Sequence, residues 1–197
     1  MELGNMLLNG KNHIEIIPVD EPCAAINSEY FQADSSTNFG LMITQSGGVI
    51  AENVVRLLGS NRSPEYRDIN LFNIKFGSGG GLIILGDDIF GGIFALNTGL
   101  LPECPGNIIY YAPDTLEWED LELKLSGLFA WLKDGDLAEF YGQFSADEFE
   151  ALKARNVGFN KVLSIYPPQW SAEFVTTKHD VREIDIYEYY RLQTQQN

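Results

Sequence analysis

The chain has 197 residues, 45% hydrophobic and 21% charged, which fits one globular domain and excludes a disordered or fibrous chain. It carries 13 Lys and Arg against 28 Asp and Glu, a formal net charge of −15. That balance argues against a general nucleic-acid binder, which needs a basic face, and against docking on an anionic membrane; it suits a basic protein partner, or solubility alone.

In chain order, residues 12–19 are rich in β-branched side chains and end at a proline, which predicts a short strand. Residues 21–38 predict a short helix followed by a loop. Segments 40–44 and 48–51 flank Gln45-Ser46-Gly47 and predict a hairpin. Residues 53–58 are apolar around Arg56 and stop at Gly59-Ser60. The stretch 60–81 is the least readable and ends in the run Gly77-Ser78-Gly79-Gly80-Gly81. Three strands at short spacing follow, at 82–85, 92–96 and 107–111, with Gly86-Asp87-Asp88 and a loop holding Pro102 and Pro105 between them. Such spacing predicts an antiparallel meander and not crossover units.

After Pro113 the pattern turns helical. Asp114 stands where it would cap a helix, with Glu117 in the capping-box position. Leu125, Leu128, Phe129 and Leu132 recur at helical spacing, and Gly135 marks the stop. Ser145 and Glu148 form a second capping box, opening a helix to about Arg155 that is lined by Phe149 and Leu152. Residues 162–166 predict a late strand ended by Pro167-Pro168, and a charged, aromatic tail begins at Val181. The expectation is one α+β domain over 1–197, its sheet built early and most of its helix late.

The two cysteines, Cys23 and Cys104, occur without any C-x-x-C, so reduced, partly buried thiols are expected and not a disulfide framework. The N-terminal MELGNMLLNGKNHIEI has neither a basic segment nor a long apolar core, so no ordinary signal peptide is expected. The apolar runs at 81–85 and 91–96 are too short to span a bilayer, which makes a cytoplasmic protein the expectation.

The glycine run resembles a phosphate cradle, but a strand pattern follows it where a helix N-terminus is needed, so it reads better as a flexible entry to the strand. His13 and His179 lack ligand-spaced partners, so no metal site and no cofactor is expected. No nucleophile elbow occurs. Asp87, Asp88, Asp114, Glu117, Glu119 and Asp120 fall near strand ends. Converging, they could hold a hard cation or act as an acid–base pair in a small-ligand or metal-dependent enzyme, but turns and caps already account for each Asp and are the better reading. Tyr110, Tyr111, Trp118, Phe129, Trp131, Phe140 and Tyr141 crowd one stretch, mostly as core, with any exposed ones as protein-binding anchors.

Two strings carry a resemblance. Asp87-Asp88-Ile-Phe-Gly91-Gly92-Ile-Phe-Ala-Leu-Asn97, and Gly106 to Leu121 with Tyr111, Ala-Pro-Asp114, Glu117 and Trp118, resemble a bacterial family of unknown function, DUF2625. That family resembles in turn an outlying branch of the SUKH superfamily, the group of Syd and Knr-type regulators. Arg56-Leu-Leu-Gly-Ser60, Phe129-Ala-Trp-Leu, Gly135 to Tyr141 and Tyr166-Pro-Pro-Gln-Trp170 also match, so the likeness spans about 38–170, with 1–20 and 181–197 peripheral. The family pattern has Trp where this chain has Val54 and Phe149, and 61–81 has no clear counterpart. The resemblance implies a single SUKH-like α+β domain with a curved, mostly antiparallel sheet and helices packed on it. It implies no catalytic residue, cofactor or metal. It implies an immunity-type role, in which an acidic protein covers and neutralises a basic, toxin-like one. The same strings also read structurally: Ile89, Phe90, Ile93, Phe94 and Leu96 fill the core, Gly91-Gly92 allow a tight bend, and Asn97, Asn107 and Asp114 bond local backbone.

Overall fold

The computed structural model describes residues 2–77 and 80–194, so Ser78 and Gly79 of the glycine run lie outside the described residues. The fold is one α+β domain. Its main sheet is an antiparallel meander whose seven strands are neighbours in chain order: β1 (Ile14–Ile17), β2 (Gly48–Ala51), β3 (Val55–Leu58), β4 (Leu82–Asp88), β5 (Ile93–Asn97), β6 (Ile108–Ala112) and β7 (Glu117–Leu123). The register shifts within β4, between Ile84 and Gly86, and again where β6 meets β7. Such bulges add local twist and curve a sheet. A second, two-stranded sheet pairs β8 (Lys161–Tyr166) with β9 (Asp180–Asp185). It is tied to the first by the Leu163 N–H donating to the Ile89 carbonyl at 2.8 Å.

Helices are distributed along the whole chain. α1 (Leu3–Leu7), α2 (Glu21–Phe31), α3 (Asn38–Gln45) and α4 (Ile69–Phe76) all precede β4. α5 (Leu125–Asp134), α6 (Leu137–Phe140), α7 (Ala146–Lys153) and α8 (Ile186–Thr194) follow β7. The expected segregation of sheet and helix therefore does not hold. Nor are the ends peripheral: Leu3, Leu7 and Ile17 at one end, and Ile186 and Tyr190 at the other, are buried in the main core.

Two turn assignments are corrected. Residues 40–44 belong to α3 and not to a hairpin strand. Thr37 caps that helix by accepting from the Gly40 N–H at 3.1 Å, and Leu41, Met42 and Ile43 are all buried. Gly40 presses so closely on the Asp34 carbonyl that a Cβ would stand 1.9 Å from it. The actual hairpin joins β2 to β3 through Glu52 and Asn53, at φ 52° and 57°, with the Val54 N–H closing on the Ala51 carbonyl at 2.9 Å. Two successive left-handed residues match the right-handed twist of the flanking strands.

Asp114 caps no helix. Residues 113–116 are the loop of the β6–β7 hairpin, with Ala112 opposite Glu117 and the Leu116 N–H donating to the Ala112 carbonyl at 2.8 Å. Pairing with β6 overrides the local capping pattern, and the helical spacing begins only at Leu125, after Lys124. The second box is half realised. The Ser145 hydroxyl accepts from the Glu148 N–H at 3.3 Å, but the Glu148 carboxylate turns to His179 Nδ1 at 2.5 Å.

Asp114→Ala is therefore expected to leave stability within about 0.5 kcal/mol of the parent, as for a solvent-facing substitution. Ser145→Ala, which empties an occupied cap, is expected to cost about 0.5–2 kcal/mol. Urea unfolding of the two variants side by side checks the assignment.

Candidate functional site

All four residues of β3 are buried, Arg56 among them at 1% exposure. A guanidinium there needs an anion, and the register supplies one: Arg56 lies directly opposite Asp87 on β4, with Nη2 to Oδ1 at 2.6 Å. Arg67, from the segment before α4, grips the other carboxylate oxygen and donates to Oδ1 as well, at 3.1 Å. The Arg67 guanidinium lies 5.1 Å from the Phe72 ring and 4.8 Å from that of Phe159. Arg56 also donates to the carbonyls of Asp88, Gly158 and Lys161, which fastens the start of β8 to the main sheet. Burial pushes the Arg56 guanidinium below its ordinary range, and Asp87 beside it pulls it back.

Asp88, one residue on, faces the other way along the strand and is 0% exposed. Its Oδ1 accepts from the N–H groups of Phe90 and Gly92, at 2.8 and 2.9 Å, and its Oδ2 from the Tyr110 and Tyr141 hydroxyls, at 2.7 and 3.1 Å. Burial raises its carboxyl above the ordinary range, while these four donors oppose the rise. Burial and the adjacent Asp88 hold both phenols well above theirs. Gly92 admits this packing, because a Cβ there would lie 1.9 Å from the Tyr110 hydroxyl and 2.4 Å from Asp88 Oδ2. Gly91 adopts φ 100°, a conformation that favours glycine.

The remaining residues of the matched strings order the neighbouring chain. Asn97 donates to the Leu101 and Cys104 carbonyls and accepts from the Gly99 and Leu101 N–H groups, which holds the 98–106 loop. Tyr111 lies opposite Trp118 across β6 and β7, ring centroids 5.5 Å apart. Trp118 thus belongs to a strand, three residues beyond the position where the capping pattern predicts a helix. Asp114 and Glu117 are exposed on the hairpin, so the structure does not gather them with the closed Asp87 and Asp88 into one carboxylate site. Among the described residues no group of three or more His, Cys, Asp or Glu could hold a metal ion. Cys23 and Cys104 are both free and buried. Cys23 donates to Asp68 at 2.6 Å, and burial with that carboxylate pushes its thiol up to about 12.

Over the Phe90–Gly92 turn lies an open groove of about 180 Å³, lined by Phe90, Leu116, Leu163, Ile165, Trp170 and Tyr189 among others. Side chains from the late segment bind its floor: Gln169 donates to the Phe90 carbonyl at 2.8 Å and Tyr189 to that of Gly91 at 3.0 Å. On its rim Trp170 is 58% exposed. Tyr166, at the end of β8, is 69% exposed and lines a separate hollow with Ser164, Asp180 and Arg182. Sequence reading missed Arg67, which sits in the unreadable 60–81 stretch with no local signal. It also missed the inward roles of Tyr110 and Tyr141, which were visible only as members of an aromatic-rich stretch.

A family model described as protein of unknown function DUF2625 matches residues 1–189. The chain belongs to the DUF2625 family. The match takes in the N-terminal elements, the 61–81 segment and the first turn of α8, well beyond the expected 38–170. This DUF2625 chain is 30% identical over 187 residues to the uncharacterised protein YbfG of Escherichia coli (strain K12), covering 93% of this chain and 86% of that protein. It is 31% identical over 145 residues to an uncharacterised protein of Haemophilus influenzae, covering 71% of this chain and 64% of that protein. No solved structure matches it. No helix among the described residues is long and apolar enough to cross a membrane.

In this DUF2625 protein, Asp87→Ala strands two buried guanidinium groups and is expected to cost about 3–5 kcal/mol in a denaturant titration. Asp88 sets a pH dependence. Its folded-state value is raised, so its contribution is complete below the ordinary carboxyl value of about 4 and fades as pH climbs through the folded-state value. Relative to Asp88→Asn, the parent's thermal midpoint is thus expected to stand highest near pH 4 and to lose ground towards pH 8, as paired melting curves would show.

Proposed function

We propose that the protein is a non-enzymatic, protein-binding module of immunity type, an outlying SUKH relative that works in the cytoplasm by covering and neutralising a basic, toxin-like protein. The observation that carries this reading is the surface around the matched strings. Trp170 stands exposed beside the open groove, Tyr166 stands exposed on a separate hollow with Ser164, Asp180 and Arg182, and large amphipathic aromatics at the edge of a hollow are the usual anchors of protein interfaces. The charge supports the sign of the partner. Arg56 and Arg67 are buried together with Asp68, Asp87 and Asp88, so nearly all of the net charge of −15 lies outside the interior. An acidic field of this size speeds encounter with a basic partner and repels nucleic acid.

The interior carboxylates favour binding over catalysis. Asp87 is enclosed by two arginines and Asp88 by four donors, and neither presents a lone pair to a substrate.

The test is co-expression with basic toxin domains encoded beside the gene, followed by titration of the purified pair. Growth rescue and a complex of sub-micromolar Kd are expected. Trp170→Ala is expected to weaken that complex by tenfold or more, roughly 1.4 kcal/mol, with the unfolding midpoint unchanged. Absence of any complex at micromolar concentration across such pairs would overturn the reading.

A further inference from the structure

We propose that the outer faces of α2 and α4 form a two-fold interface between two copies of this chain. This surface shares no residue with the groove under Trp170 and stands independently of the toxin-binding reading. Four large apolar side chains are about half exposed on the two helices: Ile26 (46%) and Tyr30 (53%) on α2, Leu71 and Ile74 (51% each) on α4. The helices pack together. Asp68, the N-cap of α4, accepts from the Cys23 thiol at 2.6 Å and from the Asn27 amide at 2.8 Å. Further round α2, Phe31 meets Phe39 of α3 edge-on, ring centroids 5.4 Å apart. Side chains advance about 100° per residue around a helix, so Tyr30 and Ile26 follow Cys23 on the side away from α3, and Glu29 comes next.

The rotation of α4 brings its apolar pair to the same place. Asn73 exchanges hydrogen bonds with the Ile84 backbone of β4, and Phe72 and Phe76 pack on Tyr190 and Tyr187 of α8. α2 therefore lies on the remaining flank, where Asn70 is buried. Beyond Asn70 the helix presents Ile74, then Leu71, then Lys75. Across the surface the order is an acidic rim at Glu29, an apolar centre over the α2–α4 seam, and a basic rim at Lys75. Among the described residues neither Glu29 nor Lys75 enters an ion pair, and the Lys75 ammonium rests 4.4 Å from the centre of the Tyr187 ring. This pattern is self-complementary, which selects a second copy as the occupant. A two-fold axis along the seam lays α2 of one copy on α4 of the other, so Glu29 meets Lys75 at both rims and the apolar centres cover each other. A chain of net charge −15 repels its own copy at long range, and on this face the contacting charges attract.

Sedimentation equilibrium of the purified chain at physiological salt reads the association. A patch of this size belongs to the small end of specific interfaces, so the expected result is a monomer–dimer equilibrium with a Kd below about 100 µM. Leu71→Asp is expected to weaken it about tenfold or more, with the far-ultraviolet circular dichroism unchanged because the side chain faces solvent in the monomer. Lys75→Glu and Glu29→Lys are each expected to weaken it about fivefold or more, because each sets like charges together at both rims. Combined in one chain they are expected to restore it to within about threefold of the parent, since the exchanged charges again meet as opposites. A monomer at about 100 µM, a dimer indifferent to Leu71→Asp, or a double variant no tighter than either single one overturns the two-fold interface.

Discussion

The buried cluster of Arg56, Asp87 and Arg67 is the interaction on which the rest of the structure depends. An arginine in the middle of a strand covered on both faces is tolerable only if most of its solvating waters are replaced. Asp87 replaces them from the neighbouring strand, three backbone carbonyls replace them from around the start of β8 and the end of β4, and Arg67 balances the other side of the carboxylate. These contacts join segments far apart in the chain: β3, the approach to α4, the end of β4 and the strand that opens the smaller sheet. The cluster therefore specifies how the two sheets meet, a geometry that apolar packing alone would specify less sharply.

Directly behind it, the Asp88–Gly92 turn converts that rigid interior into surface. Because successive residues of a strand face opposite sides, Asp87 serves the ion cluster while Asp88 gathers Tyr110, Tyr141 and two backbone amides. The turn that results has no room for side chains at Gly91 and Gly92, and its carbonyls are held by Gln169 and Tyr189. The groove under Trp170 is the outer side of this arrangement. The matched strings are thus mostly interior, and they hold the surface above them in place.

The acid–base imbalance acts on two scales. Inside, two arginines offset Asp87 locally. Outside, carboxylates dominate, and on β7 they lie along an unpaired strand edge where like charges oppose self-association.

The amino-acid sequence by itself determined the α+β class, the short antiparallel strands of the meander, the helix at Leu125–Asp134 and the capped helix at Ala146–Lys153, because periodicity and turn chemistry are local. It determined too that the charge balance disfavours nucleic acid. Tertiary structure alone decided the rest. Residues 40–44 became a helix because Thr37 caps it and three apolar side chains in a row find cover there. Residues 117–123 became a strand because β6 offered a ladder, so Asp114 lost the cap its spacing suggested. Arg67 found its role because Asp87, twenty residues on, came within hydrogen-bond reach only after the sheet closed. Ion pairing and strand pairing join residues by distance in space, and that distance is created by the packing itself.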